Sequence, residues 1–144
     1  MDKRNKLPIS VQLIVENNNK ILLLKRKNTG YEDGKYCLPG GHLEKNESIR
    51  SAIIREAKEE IGIELSKEDL ELYKILNRKI SEEIEYIDFI FRTTIWKGEI
   101  LNKEKDKCEE IIWKDKNELP DNTIDFIKEI IKDSTSIYIE YNWE

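Results

Sequence analysis

The chain has 144 residues, 38% of them hydrophobic and 38% charged, enough for one domain around one core. Thirty acidic against 25 basic residues give a formal net charge of −5, which disfavours a broad electrostatic grip on nucleic acid. No apolar run approaches the roughly 18 residues needed to span a bilayer.

The amino-terminal stretch also lacks the continuous apolar block and small-residue cleavage site of a signal peptide. The expectation is therefore a single domain over residues 1–144 in the cytoplasm. Cys37 and Cys108 are too few for a disulfide framework and show no close metal-ligand spacing, so both read as reduced and structural. An acidic protein that handles an anionic substrate would do so most simply through a bridging divalent metal.

Residues 9–16, ISVQLIVE, alternate apolar and polar before an Asn cluster, and residues 20–27 resume a β-type run, which predicts a hairpin. Residues 28–36 have the Asn, Asp and Gly content of a loop, and CLPGGHLE then predicts a short strand broken at Pro39-Gly40-Gly41. From Ser48 to Ile61 the period turns helical, with Ser48 as N-cap and Gly62 as stop. Residues 70–80 and 83–96 read as two more strands, residues 107–114 as another, and residues 123–133 as a helix with Ile124, Ile127, Ile130 and Ile131 on one stripe. The tail, SIYIEYNWE, is apolar enough to dock. Strands and helices interleave irregularly, which predicts an α/β or α+β class with a mixed sheet covered by two helices.

The helix carries an oddity. Glu56, Glu59 and Glu60 share about 100° of its surface beside the apolar sector, although like charges three or four apart repel. Lys58 and Ser51 fall on the far side, so the nearest helix-borne lysine does not neutralise the cluster. Three readings stay open: a neighbouring basic side chain, plain solvent on an ordinary acidic face, or a bound hard cation such as Mg²⁺.

The surrounding spacing is more specific. Gly41, five residues, Glu47, seven residues, Arg55-Glu56, Ala57, one residue, Glu59-Glu60, one residue, Gly62 and Ile63 match the signature box of the Nudix hydrolases, and on these residues the chain is identified as a member of that family. The resemblance implies an α/β/α sandwich around a mixed β-sheet. It also implies Mg²⁺-dependent hydrolysis, with Mn²⁺ as a possible substitute, of a nucleoside diphosphate linked to a further moiety X.

Carried over by position, Glu56, Glu59 and Glu60 resemble the metal ligands, with the Gly40 carbonyl as a further one. Glu47 and Arg55 resemble the pair that ties loop to helix, with Gly41 and Gly62 in support. The reaction implied is water attack on a phosphoanhydride phosphorus. Its general base is open among Glu56, Glu110 and Glu109.

Lys25 and Arg26, ending the second strand, are candidate phosphate contacts, with Arg26 favoured for its fork of donors. Tyr31, Tyr36 and Trp96 are candidates to stack on a nucleobase, against the alternative of packing, whereas Trp113 reads as core and His42 receives no role. The chain length leaves little beyond a catalytic core. That tilts the expectation to a MutT-like nucleoside triphosphate pyrophosphohydrolase, with small-molecule nucleotides as partners and no membrane. ADP-ribose, dinucleoside polyphosphates, nucleotide sugars and RNA 5′ ends are alternatives, as are a non-catalytic nucleotide-binding regulator and a plain acidic interaction module. A homodimer is a possible assembly.

Overall fold

The computed structural model describes residues 3–133 and 135–144. The expected hairpin forms from β1 (Ile9–Asn17) and β2 (Lys20–Arg26). Asn18 and Asn19 turn it with φ of 51° and 65°, the left-handed pair that a two-residue hairpin loop requires. The two strands pair only near this turn, at Glu16 with Ile21 and Asn17 with Lys20, and then diverge.

The segment after the loop fills the divergence as two short strands rather than one. β3 (Tyr36–Cys37) joins β2, and β4 (Gly40–His42) joins β1. Pro39 sits between them, where its missing N–H costs nothing and its carbonyl accepts from Leu13 N–H at 2.9 Å.

Helix α1 (Ile49–Ile61) begins at Ser48, whose Oγ accepts from Ser51 N–H at 3.2 Å. It ends at Gly62, with φ of 74° and its N–H shared between the Ala57 and Lys58 carbonyls. β5 (Glu71–Lys79) and β6 (Glu85–Thr93) are antiparallel, and β6 runs parallel to β1. β7 (Cys108–Asp115) pairs with β2. Helix α2 (Asp125–Lys132) is shorter than the sequence suggests, because Thr123 and Ile124 are drawn onto Tyr36 by backbone hydrogen bonding. The tail docks as β8 (Tyr138–Tyr141), parallel to β5.

These strands form one mixed eight-stranded sheet, ordered β3-β2-β1-β6-β5-β8, with β4 added to β1 and β7 to β2. Successive β1 residues face opposite sides, so Val11, Leu13 and Val15 pack under α1 with Ala52, Ile53, Ala57 and Ile61. Ile14 faces the other way, onto Phe126, Ile127 and Ile130 of α2 together with Leu76 and Ile90. The result is the α/β/α sandwich with a mixed sheet that the sequence led us to expect.

Trp113 packs beside the first core, stacked on Trp96 at 6.1 Å, so Trp96 serves packing. Tyr36 is likewise a core residue. Both cysteines are free. Among the described residues no helix is long and apolar enough to cross a membrane.

Candidate active site

Where β1 and β2 splay apart, a cavity of about 830 Å³ opens. Its floor comes from Ser10 and Gln12 of β1, Lys25 and Arg26 of β2, and Gly40 and Gly41 of β4. Glu56, Glu59 and Glu60 wall one end and Arg78, Tyr86 and Phe126 the other.

The acidic end is organised by Arg55. Its guanidinium grips Glu47 through two bonds of 2.8 and 3.0 Å and donates to Glu56 at 2.7 Å, Glu59 at 3.4 Å and the His42 carbonyl at 3.2 Å. These bonds raise the Arg55 pKa, Glu47 contributing most, and hold the Glu47 carboxyl below its ordinary range. Lys58 is turned away towards Glu64, as the helical geometry predicts. A neighbouring cation, Arg55, therefore offsets part of the repulsion, which counting helix-borne lysines misses.

It does not offset all of it. One guanidinium serves Glu44, Glu47, Glu56 and Glu59, while among the described residues Glu60 accepts only from Gly40 N–H, at 3.1 and 3.4 Å to its two oxygens. Burial pushes the Glu56 carboxyl up, with Glu59 and Glu104 adding to the rise. Burial raises Glu60 well above the usual carboxylate range, again with Glu56 and Glu104 adding to it.

The two glycines make this approach possible. A Cβ on Gly41 would lie 2.5 Å from Glu56 Oε1, and one on Gly40 would lie 2.2 Å from the Val11 carbonyl oxygen.

Among the described residues no group of three or more His, Cys, Asp or Glu side chains is arranged as a ready coordination shell. The donor set nonetheless fits a hard divalent cation. It offers carboxylate oxygens, at least one of them buried and short of positive charge, against a wall bare of side chains.

Glu104 is a residue that sequence reasoning missed. The segment after β6 closes over the end of α1, with Leu101 N–H on the Ile61 carbonyl and Lys103 N–H on the Glu60 carbonyl, both at 3.0 Å. Asn102 then accepts from Glu104 N–H at 3.2 Å, and Glu104 and Lys107 line the cavity. In sequence both lie within a run of alternating charge, KEKDK, that reads as solvated surface.

Glu110 is not brought to this site. It accepts a hydrogen bond from the Tyr36 hydroxyl, the main cause that raises the tyrosine to about 12, and it lies outside the cavity lining. Glu109 pairs with Lys25 at 3.0 Å.

Arg26 does line the cavity, but its fork is largely occupied. Nε donates to the Tyr31 carbonyl at 2.8 Å and Nη2 to Thr29 Oγ1 at 3.1 Å, with the Tyr31 ring 5.4 Å away. The loop around it is folded by Asp33, which accepts from the N–H groups of Thr29 and Gly30 at 3.0–3.2 Å. Tyr31 stays 42% exposed at the cavity mouth, its hydroxyl accepting from Arg78 at 3.3 Å.

Comparison with known proteins agrees with this architecture. The chain is 38% identical over 126 residues to an ADP-ribose pyrophosphatase of Methanocaldococcus jannaschii, covering 87% of this chain and 71% of the relative. It is 33% identical over 107 residues to an 8-oxo-dGTP diphosphatase of Proteus vulgaris, covering 72% of this chain and 89% of the relative. The crystal structure of a MutT Nudix hydrolase from Burkholderia pseudomallei superposes with a TM-score of 0.81, at 22% identity and over 92% of this chain and 100% of that one, which speaks to the fold. The NUDIX domain model matches residues 6–133, and the chain belongs to the Nudix hydrolases.

Proposed function

We propose that this protein cleaves a phosphoanhydride in a nucleoside diphosphate-X compound, foremost a nucleoside triphosphate, giving a nucleoside monophosphate and pyrophosphate. The observation that carries this reading is the only partly compensated acidic end of the cavity, with buried Glu60 beside Glu56 and the bare backbone of Gly40 and Gly41. Glu56, Glu59, Glu60 and the Gly40 carbonyl would hold Mg²⁺ or Mn²⁺. Such an ion, when bound, offsets charge on phosphate oxygens and lowers the pKa of water.

The chain's own residues do the rest. Arg55 and Glu47 fix the orientation of Glu56, so that a ligand set on one helix turn is held by a rigid support. Lys25, Arg26 and Lys107 also line the cavity and would meet the phosphate chain with positive charge. Glu56 or Glu104 would accept the proton of the attacking water; for Glu56, burial raises the affinity for protons that this role calls for. Glu110, tied to Tyr36, leaves that competition.

A second reading, cleavage of ADP-ribose, is supported by the 38% identity to the archaeal relative. Both readings suit a cytoplasmic enzyme of free nucleotides. The test is Mg²⁺-dependent turnover of a nucleotide panel with products identified. Nucleoside monophosphate plus pyrophosphate supports the first reading, and AMP plus ribose 5-phosphate the second. Ligand binding with no turnover of any member supports a nucleotide-binding regulator instead.

A further inference from the structure

Arg78 lines the cavity on the sheet face that packs under α2, 7% exposed, on a different wall from the α1 acids. Its Nε donates to Asp88 Oδ2 at 2.7 Å and its Nη2 to Asp88 Oδ1 at 3.1 Å. Asp88 is fully buried and also accepts from Ser10 Oγ at 2.5 Å, while Gln12 donates to that Oγ at 3.2 Å. Phe126 and Tyr86 pack their rings 4.4 and 5.0 Å from the guanidinium carbon.

A buried ion pair of this kind adds little net stability, because desolvation of both charges offsets their attraction. Its placement on a cavity wall has a use that stability does not supply. Asp88 cancels the charge, so the pair offers no attraction to phosphate, which finds its cations at the other end. What is left is hydrogen-bonding geometry. A guanidinium has five N–H groups. Two go to Asp88 and one, on Nη1, goes to the Tyr31 hydroxyl at 3.3 Å, so each terminal nitrogen keeps one N–H with no protein partner among the described residues.

Resting on the nucleotide reading above, we infer that Arg78 determines specificity by reading a nucleobase that presents two adjacent hydrogen-bond acceptors. Guanine does so at O6 and N7, the edge that arginine takes in a bidentate manner. Cytosine does so at N3 and O2. Adenine and thymine (or uracil) present no two adjacent acceptors, so one arginine N–H faces a donor or a C–H, the kind of mismatch a dry polar site rejects strongly. Phe126 and Tyr86 supply apolar walls beside the fork for the flat base.

The experiment measures kcat and KM with Mg²⁺ for dGTP, dCTP, dATP, dTTP and 7-deaza-dGTP, in which N7 is replaced by C–H. The expected result is kcat/KM at least tenfold higher for dGTP or dCTP than for dATP and dTTP, carried mainly by KM. If dGTP leads, its 7-deaza analogue loses about tenfold, the scale of one bidentate contact. If dCTP leads, the cytosine arm is assigned.

Arg78→Lys keeps a charge for Asp88 but not the fork, and its selectivity ratio falls towards one in protein whose Tm shows it to be folded. Equal kcat/KM for all four nucleotides, or an unchanged ratio in Arg78→Lys, overturns the inference. Binding of GMP, CMP, AMP and UMP to the wild-type protein in EDTA, by calorimetry, reads the same preference without turnover. Failure of the hydrolase reading is therefore distinguishable from failure of this one.

Discussion

The two ends of the cavity handle charge in opposite ways. At one end Arg55 is shared among four glutamates, Glu44, Glu47, Glu56 and Glu59, and Glu60 has a backbone N–H, so negative charge is left over. At the other, Arg78 and Asp88 pair one to one through two bonds, and nothing is left over but direction. An unbalanced end invites a cation. A balanced end discriminates among neutral groups by where their donors and acceptors lie.

The largest expected effect breaks the unbalanced end. Glu60→Gln and Glu59→Gln should each lower Mg²⁺-dependent turnover by orders of magnitude. Because Glu60 holds a buried, poorly compensated charge, its Gln variant should also melt higher than the wild-type protein in EDTA. Wild-type activity in both variants would remove the acids from the metal-binding role.

The balanced end responds differently. Asp88→Asn leaves Arg78 buried without its counter-charge and should cost about 3–5 kcal/mol of stability, the range for breaking a buried pair, read by denaturant midpoint. Gly41→Ala should come next, with turnover falling about 10–100-fold, as for other supports of metal ligands. The new Cβ would press on a Glu56 carboxylate that Arg55 already holds at 2.7 Å.

The unbalanced end was far more legible in the sequence than the balanced one, and the reason is range. Ser48, Glu47, Arg55, the three glutamates and Gly62 are local to one helix, where a 3.6-residue period and the capping rules place every side chain. Arg78 and Asp88 meet because β5 pairs with β6, and Ser10 reaches Asp88 because β6 lies parallel to β1 with Ser10 opposite Asp88. No local pattern announces that register, and in sequence Arg78 and Asp88 look like the polar alternation of two ordinary strands.

Glu110 shows the converse hazard. It directly precedes the apolar run Ile111-Ile112-Trp113, which makes it look like a residue at a site. A register shift between Lys25 and Arg26 sets Cys108, not an acid, opposite Arg26 and leaves Glu110 with Tyr36.

Acidity sharpens the comparison with a smaller effect. Glu56 and Glu60 have folded-state pKa values raised above the ordinary 4.5. Their contribution to stability is fully present below the unfolded value and is lost as pH rises through the folded one, since the folded state then keeps a charge it solvates poorly. Metal-free protein should therefore lose Tm as pH rises through that window, and Mg²⁺ should restore it. The increase in Tm on adding Mg²⁺ should be larger at pH 8 than at pH 5.5, because the cation competes with protons for the same oxygens. An increase independent of pH would place the ion elsewhere.

The smallest expected effect is the most useful control. Glu110→Gln removes a charge from the strand beside the cavity but not from its wall, and the amide oxygen still accepts from Tyr36. Turnover should stay near the wild-type value and stability within about 0.5 kcal/mol, as for most exposed substitutions. Glu104→Gln, one loop away and on the wall, should lower turnover clearly. If the two variants exchange behaviour, the proton acceptor lies on β7 after all, and the contrast between the two ends has been drawn around the wrong carboxylate.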